Sequence, residues 1–208
     1  MPFEKWEVNQ KNETMKRVMV GASIIALAII ANTSSAQHKT TQIGVKGGVS
    51  FTGVSNLQGN QRTTGHAGIF VHHTINKKWC FQPEVLYAGQ GQKFTTIEGD
   101  KRTLALDYVQ VPLMVQYFPV NKFYVEFGPQ VGALVNAKTK NTGNGNDKSD
   151  VDANYRKIDA GINAGAGYNI THNVGVYGRY NHGLVDITKS EETYRRNTGF
   201  QVGAAVRF

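Results

Sequence analysis

Residues 104–135 read LALDYVQVPLMVQYFPVNKFYVEFGPQVGALV. They hold two apolar-alternating runs joined by Pro119-Val120-Asn121-Lys122. In the first run Val109, Val111, Leu113, Val115 and Tyr117 share one parity, and Tyr108, Gln110, Pro112, Met114 and Gln116 share the other. In the second, Phe123, Val125, Phe127, Val131, Ala133 and Val135 face one way and Glu126, Gly128, Gln130, Gly132 and Asn136 the other. A period of two means strand, because successive Cβ atoms point to opposite faces. Each run is about 10 to 15 residues, against roughly 5 to 6 for the commonest globular strand and roughly 9 to 11 for a tilted strand that crosses a bilayer. The stretch therefore reads as a transmembrane β-hairpin.

The same pattern extends in both directions. Eight strands are expected, over residues 43–54, 65–75, 79–94, 104–118, 123–138, 155–170, 174–187 and 198–208. Asn76-Lys77-Lys78, Pro119–Lys122 and Thr171-His172-Asn173 are tight turns, whereas residues 55–64, 95–103, 139–154 and 188–197 are long and polar. Short turns at one end and long loops at the other predict a closed antiparallel up-and-down barrel of the outer-membrane kind. Both termini then lie on the short-turn, periplasmic side. The chain has 208 residues, enough for one domain, and its 23 glycines and sparse helix signals favour all-β. A mean hydropathy of −0.37 is compatible with a barrel, since half of each strand faces a polar interior.

Ahead of the strands, residues 1–14 are polar and patternless, Met15-Lys16-Arg17 is a short basic start, and residues 18–31 are almost purely apolar. Ser34-Ser35-Ala36 then supplies small residues where a signal peptidase reads. Residues 15–36 are expected to be a signal peptide cleaved after Ala36, with residues 1–14 an extension ahead of the true start at Met15 and residues 37–42 a short lead into the barrel, residues 43–208.

Alternation alone does not say which parity faces out, because a soluble ligand-binding barrel has the same period with its apolar side inward. Three features favour the membrane version. Aromatics gather at predicted strand ends: Trp79, Phe81, Phe118, Phe123, Tyr168 and Phe208 near the short turns, and Phe51, Tyr87, Tyr108, Tyr155 and Phe200 toward the loops, as two interfacial girdles require. The polar parity is rich in glycine (Gly44, Gly48, Gly128, Gly132, Gly161, Gly165 and Gly203), which suits a crowded narrow interior. Phe208 ends the apolar parity of the last strand, resembling the signal read by the barrel-insertion machinery.

From about Ile43 to Phe208 the chain resembles the PorT-like outer-membrane β-barrel family, the outer membrane protein beta-barrel domain. The resemblance rests on Ile43-Gly44-Val45-Lys46-Gly47-Gly48, Phe81-Gln82-Pro83-Glu84-Val85-Leu86-Tyr87, Val109-Gln110-Val111-Pro112-Leu113, Phe127-Gly128-Pro129, Gly165-Ala166-Gly167-Tyr168 and Arg179-Tyr180-Asn181-His182-Gly183-Leu184. It implies an outer-membrane barrel of about eight strands and carries no specific activity.

The polar parity holds Lys46, Glu84, Glu126, Arg179 and Arg207, all in the half nearer the short turns. Charges in one low-dielectric zone should pair, and a network linking Glu84 and Glu126 to Arg179, Arg207 and Lys46 is expected to plug the lumen. Other motifs are weak. Gly165-Ala166-Gly167 lacks a third glycine and a following helix, and Gly143-Asn144-Gly145-Asn146-Asp147-Lys148-Ser149 lacks the glycine before the lysine of a phosphate loop. Asp147, Asp150 and Asp152 read as a solvated loop, and His66, His72, His73 and His182 as polar residues without metal spacing, so no metal or cofactor is expected. Ser50 or Ser55 with His66 is the only candidate for lipid A hydrolysis, and no spacing singles it out. The lone Cys80 can form no intramolecular disulfide.

Residues 1–36 carry a net +1, so +7 of the formal +8 stays with the barrel. The basic Lys101, Arg102, Lys138, Lys140, Lys148, Lys189, Arg195 and Arg196 lie in or beside the long loops, where lipopolysaccharide phosphates are the expected partners. The scattered charge, with no basic helix, argues against nucleic acid. The sequence thus predicts a plugged, non-enzymatic outer-membrane barrel with a structural or surface-interaction role. The alternatives are a small-solute channel or secretion-apparatus component, and a lipid A-modifying enzyme.

Overall fold

The computed structural model describes residues 40–57, 59–96, 99–141, 148–150, 155–188 and 194–208. The expected leader, residues 1–36, and residues 143–147 of the Gly143–Ser149 motif lie outside the described residues. The strands are β1 (Thr41–Val54), β2 (Asn60–Thr74), β3 (Trp79–Thr95), β4 (Lys101–Val120), β5 (Phe123–Asn141), the three-residue β6 (Lys148–Asp150), β7 (Ile158–Asn169), β8 (Val174–Gly183) and β9 (Asn197–Arg207). All but β6 join one antiparallel ring, in the order β1-β2-β3-β4-β5-β7-β8-β9, which closes where β9 returns to β1. Closure leaves no unpaired edge in the ring. β6 pairs only with the far end of β5.

The distribution of side chains settles which face is oily. Ile43, Val45, Val49, Ile69, Phe127, Val131, Ile162 and Val202 point outward and are 45–54 % exposed. Gln82, Gln110, Gln116, Gln130, Asn163 and Asn181 point inward and are buried. A water-soluble barrel would invert this arrangement, because buried amides with an exposed aliphatic band are favourable only where hydrocarbon bathes the outside. Trp79, Phe81, Phe123, Tyr168 and Phe208 lie on the outward parity near the tight turns, with the Trp79 ring packed at a tilt on Tyr117, centroids 4.8 Å apart, and Phe123 opposite Tyr168.

The structure departs from the sequence reading at several places. Phe118 is not a girdle residue. It lies on the inward parity of β4, and its ring packs on the buried Tyr124 at 5.4 Å. Tyr108 and Tyr155 are likewise buried rather than interfacial. The turn between β4 and β5 contracts to Asn121-Lys122, since Val120 pairs with Phe123, and Lys122 takes a φ of 76°. Further along the same pair a bulge sets Asp107 opposite Asn136 but Tyr108 opposite Leu134. The extra residue reverses the phase, because a strand's side-chain period is two. Asn136 therefore faces out and donates to Asp107 Oδ2 at 2.9 Å, while Ala137 turns in and is buried. Finally, β7 starts at Ile158 and β8 stops at Gly183, so Tyr155 and Ile187 leave the ladder and fold inward, joined by the isolated bridge Tyr155–Thr188.

Candidate functional site

The lumen is stacked in layers. In a narrow barrel only alternate strands present a side chain at a given level. At the charged level these are β1 with Lys46, β3 with Glu84, β5 with Glu126 and β8 with Arg179, every second strand around the ring. Arg179 Nη1 donates to Glu84 Oε2 at 2.9 Å and Nη2 to Glu84 Oε1 at 2.8 Å, a two-pronged contact. Its Nε donates to Glu126 Oε1 at 2.8 Å. Lys46 Nζ donates to Glu84 Oε1 at 3.0 Å and lies 3.9 Å above the Tyr177 ring. Gln82 and Gln116 complete the set, donating to Glu84 Oε1 at 2.9 Å and to Glu126 Oε2 at 3.0 Å. All four side chains are buried, and two cations face two anions. Charge balance with every carboxylate oxygen bonded is the condition under which buried ions are tolerated.

Arg207, expected in this network, stands outside it. It pairs with Gly44, two residues nearer the tight turns than Lys46, and the four carboxylate oxygens already have donors. Its Nη1 instead lies 3.1 Å from His72 Nε2. His72 Nδ1 is 3.1 Å from Gln82 Oε1, so Arg207 reaches the charged layer through His72 and Gln82.

Above the charges lies a layer of amides and hydroxyls. Asn181 Nδ2 donates to Asn163 Oδ1 at 2.8 Å, and Asn163 Nδ2 donates to Gln130 Oε1 at 3.1 Å. Ser50 Oγ is 2.8 Å from His66 Nδ1, and His66 Nε2 is 2.6 Å from the Tyr177 hydroxyl. The structure thus brings Ser50 and His66 together. The second imidazole nitrogen meets a phenol rather than a carboxylate, and Ser50 is fully buried. Ser55 is not part of this chain; its Oγ accepts from the Arg196 backbone N–H at 2.9 Å.

Toward the long loops the lumen becomes apolar. Val54, Leu104, Leu106, Tyr108, Ala137, Tyr155 and Ile187 form one buried cluster, flanked by Leu57, Phe94 and Leu134. This cap was missed by the assumption that one parity stays polar throughout. Leu104, Leu106 and Tyr108 share a parity, so an inward apolar patch was readable in β4. Beside it Asn197 Nδ2 donates to the buried Asp159 Oδ2 at 2.8 Å. Above the cap Asp186 Oδ1 accepts from the Thr188 N–H at 3.0 Å, the Thr188 hydroxyl at 2.9 Å and the Arg195 N–H at 3.1 Å. Burial alone would raise the Asp186 pKa, but these hydrogen bonds and the Arg156 charge outweigh it and hold the carboxyl below its usual range.

Solved structures with this architecture include Neisserial surface protein A, at 13 % identity and a TM-score of 0.51 over 81 % of this chain and 97 % of that one. The attachment invasion locus protein Ail of Yersinia pestis aligns at 15 % identity, with a TM-score of 0.47 over 81 % and 97 %. OprG of Pseudomonas aeruginosa aligns at 13 %, with a TM-score of 0.46 over 82 % and 97 %. No curated protein sequence matches the chain. The family described as "outer membrane protein beta-barrel domain" matches residues 31–189. With a closed eight-stranded ring, an oily exterior and a polar, charge-balanced lumen, the chain belongs to that outer-membrane β-barrel family.

Proposed function

We propose that this protein is a non-conducting, non-enzymatic barrel of the bacterial outer membrane whose role lies in its loops rather than its lumen. One observation carries the reading: Lys46, Glu84, Glu126 and Arg179, from every second strand, meet across the lumen with all carboxylate oxygens bonded. The apolar cap around Leu106 and Ile187 is a second seal in series. A hydrated ion would have to break both. The Phe81–Tyr87 and Arg179–Leu184 motifs, two of those that resemble the PorT-like family, supply Glu84 and Arg179 of the plug.

The barrel reaches the outer membrane after cleavage behind Ala36, and its outer rim meets lipopolysaccharide phosphates through basic residues such as Lys101, Arg102, Arg195 and Arg196. The deciding experiment is conductance in planar bilayers. The proposal expects a flat baseline for the purified protein; unitary steps would overturn it. Amino-terminal sequencing should begin at Gln37, equal lipopolysaccharide binding by wild type and a loop-neutralised variant would reject the lipid contact, and altered lipid A in cells bearing the gene would reject the non-enzymatic reading.

A further inference from the structure

The two ends of the lumen are built differently. The loop end is closed by the apolar cap, whereas the tight-turn end opens into a cavity of about 640 Å³. Its charged walls are Lys77, Lys122 and Arg207, joined by His72 and His172, and among the described residues no carboxylate lines it. The layer above cannot neutralise these cations, because Glu84 and Glu126 are taken by Lys46 and Arg179. Arg207 is half-buried, and its guanidinium contacts only His72 among the described polar side chains. A guanidinium has five N–H donors in a fixed fork, so Arg207 keeps donors free toward the cavity. Among the described residues the Lys122 ammonium makes one long contact, donating to the Ile170 carbonyl at 3.4 Å.

We propose that this periplasmic mouth is a binding site for a phosphate group. Arg207 forms the floor and grips two oxygens; Lys77 and Lys122 close over the others from the turns. Three separate cations suit a tetrahedral oxyanion of up to two charges better than a carboxylate, which offers two oxygens and one charge. Thr74, Asn76, Asn121 and Thr171 supply polar walls, and the inward Phe118 an aromatic one. The phosphate comes either from a phospholipid headgroup of the inner leaflet or from a soluble phosphate ester.

The test uses protein purified from outer membranes in a maltoside detergent, which is free of phosphorus, titrated with inorganic phosphate and followed by phosphorus NMR. Saturable line broadening is expected, with a Kd of about 1 mM. In R207Q binding should weaken about tenfold, and similarly in the K77Q/K122Q double variant, through loss of charge-assisted donors. The double variant lies in the turns, outside the strand ladder, so it remains informative if R207Q inserts poorly. No saturable broadening in the wild type, or equal broadening in folded variants, would overturn the site. Displacement of phosphate in phosphatidylglycerol nanodiscs would assign a lipid headgroup; retention would assign a soluble ester, and either result upholds the site.

Discussion

Arg179 and Glu84 meet through two parallel hydrogen bonds of 2.9 and 2.8 Å across the lumen, from strands that are not neighbours in the ring. The third guanidinium donor ties in Glu126. Removing one ion strands its partner in a low-dielectric interior, at a cost of about 3–5 kcal/mol. E126A should show a loss of that order in urea unfolding in detergent micelles. A combined Arg179→Met and Glu126→Leu exchange should cost less than E126A alone, since Lys46 and Glu84 remain a neutral pair. A loss below about 0.5 kcal/mol in E126A would remove the case for buried pairing.

Much of the fold was legible because lipid and lumen impose opposite demands on adjacent residues. Val109, Val111, Leu113 and Val115 announce one face and Gln110, Met114 and Gln116 the other, and the structure keeps that division. The charged layer was legible in part. Lys46, Glu84, Glu126 and Arg179 share the inward parity, but Arg207 shares it too, and parity does not report height along the barrel. The bulge at Asp107/Tyr108 was invisible, because the residues on both sides of it alternate well. Its effect, carrying Ala137 into the lumen, depends on the pairing of β4 with β5 rather than on either strand alone. Tyr155 shares the parity of the inward Asp159 and Asn163, and Ile187 that of the inward Arg179 and Asn181, so spacing alone already placed both on the lumen side.

Leu106, fully buried in the cap, offers a test of its packing. L106A should destabilise the barrel by about 2–5 kcal/mol, the usual cost of a cavity left by a truncated leucine. Current through planar bilayers should stay at baseline, because the charged layer below the cap is untouched. If L106A alone conducted, the cap rather than the ion layer would be the seal.

Gly167 lies where the Tyr124 ring covers the backbone of the neighbouring strand, and a Cβ there would collide with Cζ and the hydroxyl of that ring. Tyr124 cannot retreat freely, since Phe118 packs against its ring. G167A should therefore cost about 1–3 kcal/mol by overpacking. In the double variant G167A/Y124L the penalty should shrink, because the smaller side chain leaves room. Equal losses in the two would mean that glycine is needed for backbone freedom rather than for the ring. Urea midpoints in the same micelles distinguish these outcomes.

Asp186 should make the outer loop between β8 and β9 sensitive to acid. Its folded pKa lies below the ordinary 3.8, so its stabilising contribution is complete above that value and disappears as pH falls through the lower, folded one. The carboxylate binds the Thr188 and Arg195 amides, and the neighbouring Ile187 N–H donates to the Arg195 carbonyl at 2.8 Å, so the contact holds Ile187 in the cap. Protection factors for the Thr188 and Arg195 amides, measured by hydrogen exchange and corrected for intrinsic rates, should be constant from neutral pH to about pH 5 and fall below 3.8. In D186A the two amides should exchange about tenfold faster at neutral pH, the size of one lost charge-assisted hydrogen bond, while amides in β1 and β9 keep their protection. Protection unchanged down to about pH 2 would show that the loop is held by Ile187 packing and not by this carboxylate.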